Sequence, residues 1–468
     1  MRLGLLAALL AVLASTLPAA SLHPDSFELR IVASVPYFAM NALVAGDADH
    51  DSQPELYLNQ YSSGWPLYIL EHTGGFVFDT LYSGIPAEAR SPLLLSDADR
   101  DGRTDLVVQG PWDLYIYESA DSLSLPLTEV WSHWFRANAH TMPTEVADLD
   151  MDGWNELYIS VWNDSMEVYE NTGDNQYAFR TRLWAEQSRC GHAEVVETPD
   201  MDRDGKPELF AGSLEDGRVF FFEAVQNDSF ECVAVCTLEN WYGQTYTVAA
   251  APDMDRDGRS EAIVYGMGLP DSGTLAVIES PGDNEFDVVW ESHLVGSYFG
   301  EWSLGVGDIN GDSVPEIALE NGRSMQLYRC VGSDQYEVMR ETPCSRGLLA
   351  FCDIDGNGRD ELVYTVGDSE TVVLAYVEVG VAERELRRLE GVQVTPSVVR
   401  RGVAVKLVGL ESRFSVQVLD AAGRVIAEPE DGVWRTDGVR PGAYFTRAVG
   451  PRVQGFRGAV TRKLLIVE

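Results

Sequence analysis

Asp97, Asp99, Asp101 and Asp105 stand at positions 1, 3, 5 and 9 of a nine-residue stretch, with Gly102 at position 6. A hard divalent cation takes about six to eight oxygen ligands at roughly 2.3–2.6 Å, and closely spaced carboxylates supply them. Carboxylates this near to one another repel unless a cation lies between them. The spacing occurs seven times, starting at Asp47, Asp97, Asp148, Asp200, Asp253, Asp308 and Asp353, with steps of 50, 51, 52, 53, 55 and 45 residues. Such a period marks a repeat architecture.

Position 3 is Asp49, Asp99, Asp150, Asp202, Asp255, Asn310 and Asp355, and position 5 is Asp51, Asp101, Asp152, Asp204, Asp257, Asp312 and Asn357. Position 9 is Glu55, Asp105, Glu156, Glu208, Glu261, Glu316 and Glu361. Glycine fills position 6 in five copies, while Ser52 and Ser313 replace it in the first and sixth. If position 6 needs φ > 0, serine holds it at a cost, and those two turns bind an ion more weakly. The turns are not EF-hands, which need a bidentate Glu at position 12 and a following helix. Position 12 here is apolar, as in Leu58, Val108 and Ile159. The competing reading is an acidic, solvated hairpin turn, and seven copies in phase weigh against it.

The elements that position these turns are short strands. In the second repeat, Ser91 to Ser96 enters the turn and Asp105 to Gln109 leaves it. Gly110-Pro111-Trp112 turns the chain into Leu114 to Glu118, and a fourth strand begins over Thr128 to Trp131. No segment has a helical period. Four-stranded sheets repeating at this interval are propeller blades. The fold class is therefore all-β, a seven-bladed β-propeller followed by a small β-sandwich. Small residues before the turns, as in Val248-Ala249-Ala250-Ala251 and Ser303-Leu304-Gly305-Val306-Gly307, suit an innermost strand crowded around the axis. An open ring exposes sheet edges. Phe27 to Val35 reads as a fourth strand without a blade of its own, and it is expected to complete the seventh, whose own strands run from about Gly347 to Val379. Ala382 to Leu389 is the rival for that place.

The chain has 468 residues and a formal net charge of −40, and the seven turns hold 26 of its 74 acids. That balance argues against nucleic acid and against anionic membranes. Arg2, the apolar run Leu3 to Leu17 and the exit Leu17-Pro18-Ala19-Ala20 read as a signal peptide over residues 1–20. The run is short for a membrane span, and no later stretch could cross a bilayer. The expectation is export, with the mature chain secreted or at the cell surface. Six cysteines, Cys190, Cys232, Cys236, Cys330, Cys344 and Cys352, do not follow the period, and their pairing cannot be read from spacing.

The repeats resemble the FG-GAP (VCBS-type) repeats of integrin α-subunit propellers and of many bacterial exported proteins, over about residues 27–380. The resemblance rests on the phased D-x-D-x-D-G-x-x-[DE] core followed by a strand. It implies that the 28 side chains named above are Ca2+ ligands, up to seven structural ions in all. It adds the backbone carbonyl of position 7, Arg103 or Trp154 for example. The phenylalanine-glycine element of the integrins is poorly kept here.

Residues 21–380 form the expected propeller, 381–390 a linker and 391–468 a separate domain. The last segment carries 12 Lys+Arg against 7 Asp+Glu, a net +5 that sets it apart from the acidic remainder. Val416 to Leu419, Pro441 to Phe445 and Lys463 to Val467 read as its strands. It resembles the C-terminal sorting domain of type IX secretion cargo and a related immunoglobulin-like domain of flagellar hook-cap proteins. Asp420, Gly423, Arg424, Pro441, Gly442, Tyr444, Phe445 and Arg447 carry that likeness, with the usual Pro-Asn-Pro opening reduced to Thr395-Pro396-Ser397. The likeness implies the outer-membrane secretion machinery as a partner. An adhesive or structural β-domain is the alternative.

Chain alternation puts the acidic turns on one face of the disc and the remaining loops on the other. That other face collects Trp65, Trp112, Trp134, Trp162, Trp241, Tyr242, Tyr298, Phe299 and Trp302. Such side chains favour a protein or glycan ligand, or else cover the ends of the core between blades. His140 and His192 each stand eight residues before a turn aspartate, without counterparts in the other repeats. The reading is a non-enzymatic binding module of adhesion type. The alternative is a secreted polysaccharide lyase or glycoside hydrolase.

Overall fold

The structure is a computed structural model. It describes residues 27–35, 37, 39–60, 66–84, 93–110, 113–135, 144–161, 165–184, 195–198, 200–213, 217–238, 244–268, 272–294, 303–343, 348–366 and 370–378, and in the tail 393–395, 398–400, 404–408, 415–419, 424–428, 433–436, 440, 442–449 and 459–467. The expected signal peptide, the linker, the strand rival Ala382 to Leu389 and most of the loop aromatics lie outside these residues.

Seven four-stranded sheets follow one another along the chain. Blade 1 spans Ala39–Gly84, blade 2 Leu93–Trp134, blade 3 Thr144–Leu183, blade 4 Val195–Thr237, blade 5 Gln244–Leu294 and blade 6 Ser303–Pro343. Blade 7 has three strands from Leu349 to Glu378 and takes Phe27–Val35 as its fourth, beside Glu370–Glu378. The N-terminal latch therefore stands where the surplus strand pointed. The inner strands touch in succession, and that of blade 1 touches that of blade 7, so the ring closes.

Each second strand begins at position 9 of its acidic turn and is packed on both faces, as Asp105–Gln109 and Glu316–Glu320 are, buried at every residue. That explains their continuous apolar runs. Outer strands such as Phe78–Gly84 face solvent and are exposed over most of their length. The ladder between the third and outer strand slips by one residue in each of blades 1 to 6, for example between Val168 and Tyr169 and between Leu327 and Tyr328. Such bulges increase strand twist. Near the axis the small residues are required: a Cβ on Gly307 would meet Phe351 at 2.4 Å, and one on Gly305 would meet Leu349 at 2.7 Å.

Contacts divide the chain into a unit of Arg30–Tyr376 and one of Met1–Leu29 with Val377–Glu468. The tail forms a three-stranded sheet and a five-stranded sheet, the latter with Ser415–Leu419, Gly442–Val449 and Ala459–Val467 among its strands. No helix among the described residues is long and apolar enough to cross a membrane.

Candidate metal centres

Each acidic turn is drawn closed by its own carboxylates. The amide of position 6 donates to the position-1 aspartate in all seven turns, as Gly102 does to Asp97 at 3.0 Å and Gly358 to Asp353 at 2.9 Å. Position 6 has positive φ throughout, 71° in Ser52 and 64° in Ser313 against 81–101° in the five glycines. Position 4 is left-handed as well, from His50 to Gly356, which composition did not announce. Replacing Ser52 and Ser313 by glycine is expected to raise the melting temperature by a few degrees, because a left-handed non-glycine costs on the order of 1 kcal/mol. A lower melt in either variant would show that the serine side chain contributes more than its backbone costs.

The acid at position 9 is buried, with Glu55, Glu156 and Glu208 at 0% exposure. One of its oxygens accepts the amide of position 2, as Glu156 Oε2 does from Leu149 at 3.1 Å. The other has no donor in Glu55, Asp105, Glu156 and Glu208, and neither has Oδ1 of Asp97, Asp148 and Asp253. Burial pushes the position-9 carboxyl up to about 8 in Glu55, Asp105, Glu156, Glu208, Glu316 and Glu361, and to about 9 in Glu261, with neighbouring turn acids adding to it. Oxygens from Asp47, Asp49, Asp51 and Glu55 lie within 4.8 Å of one another, as do those of Asp148, Asp150, Asp152 and Glu156, of Asp97, Asp99 and Asp105, and of Asp200, Asp202 and Glu208. Buried carboxylate oxygens that converge without donors are what a hard cation satisfies, so the residues fit such an ion.

In blades 2 to 5 a second acid stands opposite position 9 on the third strand, and it already has a cation. Glu118 faces Asp105 across the ladder and binds Arg103 at 2.6 Å. Lys206 reaches Glu223 at 2.8 Å, and Arg259 lies 3.6 Å from Glu279. In blade 3, where position 7 is Trp154, Arg180 of the outer strand pairs with Glu170 instead. Asp99, Asp101, Glu118 and Asp174 also cluster within 4.8 Å. The Arg103 guanidinium fills that space, so the unneutralised charge is that of the inner cluster.

The turns are also joined from blade to blade. Asn175, Asp228, Asn284 and Asp334 sit left-handed in the outer hairpins of blades 3 to 6. Their amides donate to the position-3 Oδ2 of the preceding blade, at 2.7 Å on Asp99, 2.7 Å on Asp150, 2.7 Å on Asp202 and 3.0 Å on Asp255. Blade 7 takes its outer strand from the N-terminus and offers blade 6 no such hairpin. There Asp308 donates its amide to Asp360 at 2.8 Å, and Asn310, the only non-aspartate at position 3, donates to Glu316. Position 4 adds further ties: Arg100 reaches Gly153 O at 2.8 Å and Asp148 at 3.1 Å, and Arg256 reaches Asp312 O at 3.2 Å.

A sequence profile described as FG-GAP-like repeat matches residues 97–159 and 148–211. These residues carry FG-GAP-like repeats. No curated protein matches the sequence. Among solved structures the chain is similar to BBS1N in complex with ARL6DN, as soaked with lead (TM-score 0.50, 11% identity, 76% of this chain and 98% of that one) and with mercury (0.52, 12%, 75% and 98%). It is also similar to the V. cholerae biofilm matrix protein Bap1 (0.47, 12%, 76% and 92%). At these identities the first two show a shared fold and nothing finer.

The matched residues contain the turns that begin at Asp97, Asp148 and Asp200. His140, His192 and, apart from Trp134, the aromatics of the opposite face lie outside the described residues. Trp134 is 59% exposed, and Trp184, which the pattern did not single out, is 57% exposed just beyond the outer strand of blade 3. Cys236, Cys330 and Cys352 are free thiols. A further pair was missed. Glu145 and Glu197 occupy neighbouring inner strands, and burial and then the Glu197 charge push Glu145 up to about 7. The signal was present: the same position is Val44, Leu94, Ala250, Gly305 and Ala350 elsewhere.

Proposed function

We propose that this chain is an exported, calcium-stabilised propeller that binds a protein or a glycan without chemical turnover. The observation behind the calcium reading is the buried position-9 oxygen without a donor, present in four turns. Ca2+ would be held by Asp47, Asp49, Asp51 and Glu55 and by the corresponding residues of the other turns. It would neutralise them and fix each turn. Export is supported by Arg2 and the apolar run Leu3 to Leu17. The net positive tail would serve sorting through the outer membrane or surface attachment. Trp134 and Trp184 end their strands on the face away from the acidic turns, where large apolar rings stand in water and offer contact area to a ligand. BBS1N, similar in fold, was solved in complex with ARL6DN, an analogy of fold alone.

The test is a glycan array and a surface-protein pull-down with the full chain in calcium, beside a Trp134→Ala/Trp184→Ala variant. Binding that the variant loses supports the reading. Retention by the variant moves the ligand off this face. A carbohydrate-active enzyme is the second reading, favoured by the Glu145–Glu197 pair, since glycoside cleavage uses two carboxyl groups. Turnover on a polysaccharide panel that Glu145→Gln, or His140→Ala with His192→Ala, abolishes would establish it.

A further inference from the structure

In four turns the position-9 carboxylate has a side-chain donor beside it, and the donor differs from turn to turn. In turn 3, Tyr158 of the same blade donates to Glu156 Oε2 at 2.8 Å, and in turn 1 Tyr57 stands 3.4 Å from Glu55 Oε2. In turn 4 the Thr198 hydroxyl lies 3.2 Å from Glu208 Oε2, and in turn 6 Asn310 donates to Glu316. The position of Tyr57 and Tyr158 is taken by Val107 in turn 2 and by Ile263 in turn 5, neither of which has a donor.

The next blade carries a tyrosine at those two places. Two residues after each hairpin residue that seats on position 3, the outer strand sends a side chain onto positions 2 and 11 of the preceding turn. Tyr177 packs with Ala98 and Val107, and Tyr336 with Met254 and Ile263. Where the turn has its own tyrosine, the visiting residue lacks a hydroxyl: Phe230 meets Tyr158 edge-on at 5.8 Å, and Leu125 packs against the cluster of Tyr57. Tyr336 is 8% exposed, and its hydroxyl and that of Tyr177 are buried without a partner. Burial raises both phenols well above their ordinary value, followed by the charge of Asp105 on Tyr177 and of Glu261 on Tyr336. Each hydroxyl therefore lies in the field of the position-9 acid of the blade before it.

We infer that turns 2 and 5 are two-blade cation sites, in which Tyr177 and Tyr336 of the following blade supply the hydroxyl that holds the position-9 carboxylate toward the ion. The inference rests on the calcium reading above. A donor hydrogen-bonded to one carboxylate oxygen fixes the direction of the other, a positioning role seen around bound metals generally. It also makes ion binding in blades 2 and 5 depend on the seating of blades 3 and 6.

Calorimetric calcium titration and thermal melts of the full-length chain test this, comparing the parent with Tyr177→Phe/Tyr336→Phe and with Tyr57→Phe/Tyr158→Phe as reference. The phenylalanines keep the packing. Loss of a hydrogen bond to a charged group is expected to weaken two of the binding events roughly tenfold in each double variant. The Tyr177→Phe/Tyr336→Phe melt is expected to fall in calcium and to match the parent in EDTA, since a packing role alone would move both. A Tyr177→Phe/Tyr336→Phe isotherm that superimposes on the parent, while the reference pair weakens, overturns the inference and leaves the calcium reading standing. A parent that binds no calcium overturns both.

Discussion

In excess EDTA the chain is expected to melt at least about 20 °C below its value in millimolar calcium. A ligand that binds only the folded state at about a hundred times its Kd contributes about 2.7 kcal/mol per site. Four such sites come to about 11 kcal/mol, and roughly 2 °C per kcal/mol applies to a domain of this size. The size of the effect follows from burial. Asp105, Glu156 and Glu208 are at most 1% exposed, and each keeps an oxygen that no protein donor reaches. Unfolding returns those oxygens to water. An EDTA melt within a few degrees of the calcium melt would reduce the seven turns to ordinary acidic hairpins.

The same groups fix how pH acts, and differently in the two conditions. Without calcium, the position-9 acids have folded-state values near 8, against about 4.5 for an unfolded glutamate. The folded chain then holds more protons than the unfolded one between those values, so its stability declines as pH rises from about 4.5 to 8. With calcium, the ion displaces the proton from the same oxygens, folded and unfolded chains then hold equally few protons above about pH 5, and stability is nearly flat over that window. Melts with calcium and with EDTA should lie closer together at pH 5 and diverge towards pH 8. A calcium-induced shift of equal size at both pH values would place the titrating groups elsewhere.

Removal of residues 1–37 is the second large perturbation. Val35 is buried, and Val32 and Ala33 pack into the cluster that joins blades 7 and 1 through Leu56, Val363 and Val373. The Thr371 hydroxyl donates to Tyr37 O at 2.8 Å, and Ser34 pairs with Glu370. The truncated chain would lose these contacts and bare the edge of Glu370–Glu378. It is expected to aggregate on size exclusion or to melt more than about 15 °C below the parent, each buried aliphatic side chain being worth about 1.5–3 kcal/mol. A peptide of residues 27–37 added during refolding should restore part of the loss. A truncated monomer with the parent's melt would remove the strand from its place in blade 7.

Blade number, the acidic turns and the latch were legible because each has a local signal. A nine-residue motif repeats in phase, and one strand is left over. What joins the blades was not legible, since its two ends lie far apart in sequence: Asn175 and Asp99 are separated by 76 residues, and Asp334 and Asp255 by 79. The tyrosine exchange between Tyr158 and Tyr336 was hidden for the same reason. Each residue alone reads as a core aromatic on a strand. Only the neighbouring position, Phe230 in one case and Ile263 in the other, shows that each of these turns pairs one tyrosine with one side chain lacking a hydroxyl across the blade boundary. The pairing of Arg103 with Glu118 and of Lys206 with Glu223 has no signal in the turn itself, because the acids stand on the third strand and only the ladder brings them beside the turn.

The latch also decides how the disc responds to mechanical load. Glu370–Glu378 leads out toward the tail, and it is the third strand of its blade, held on one side by Glu361–Val366 and on the other by Phe27–Val35. A pull applied through the C-terminus must break two hydrogen-bonded ladders together before that strand leaves. A pull through the N-terminus acts on an outermost strand with one ladder to give way. The molecule is accordingly stronger when tugged from its tail than from its head.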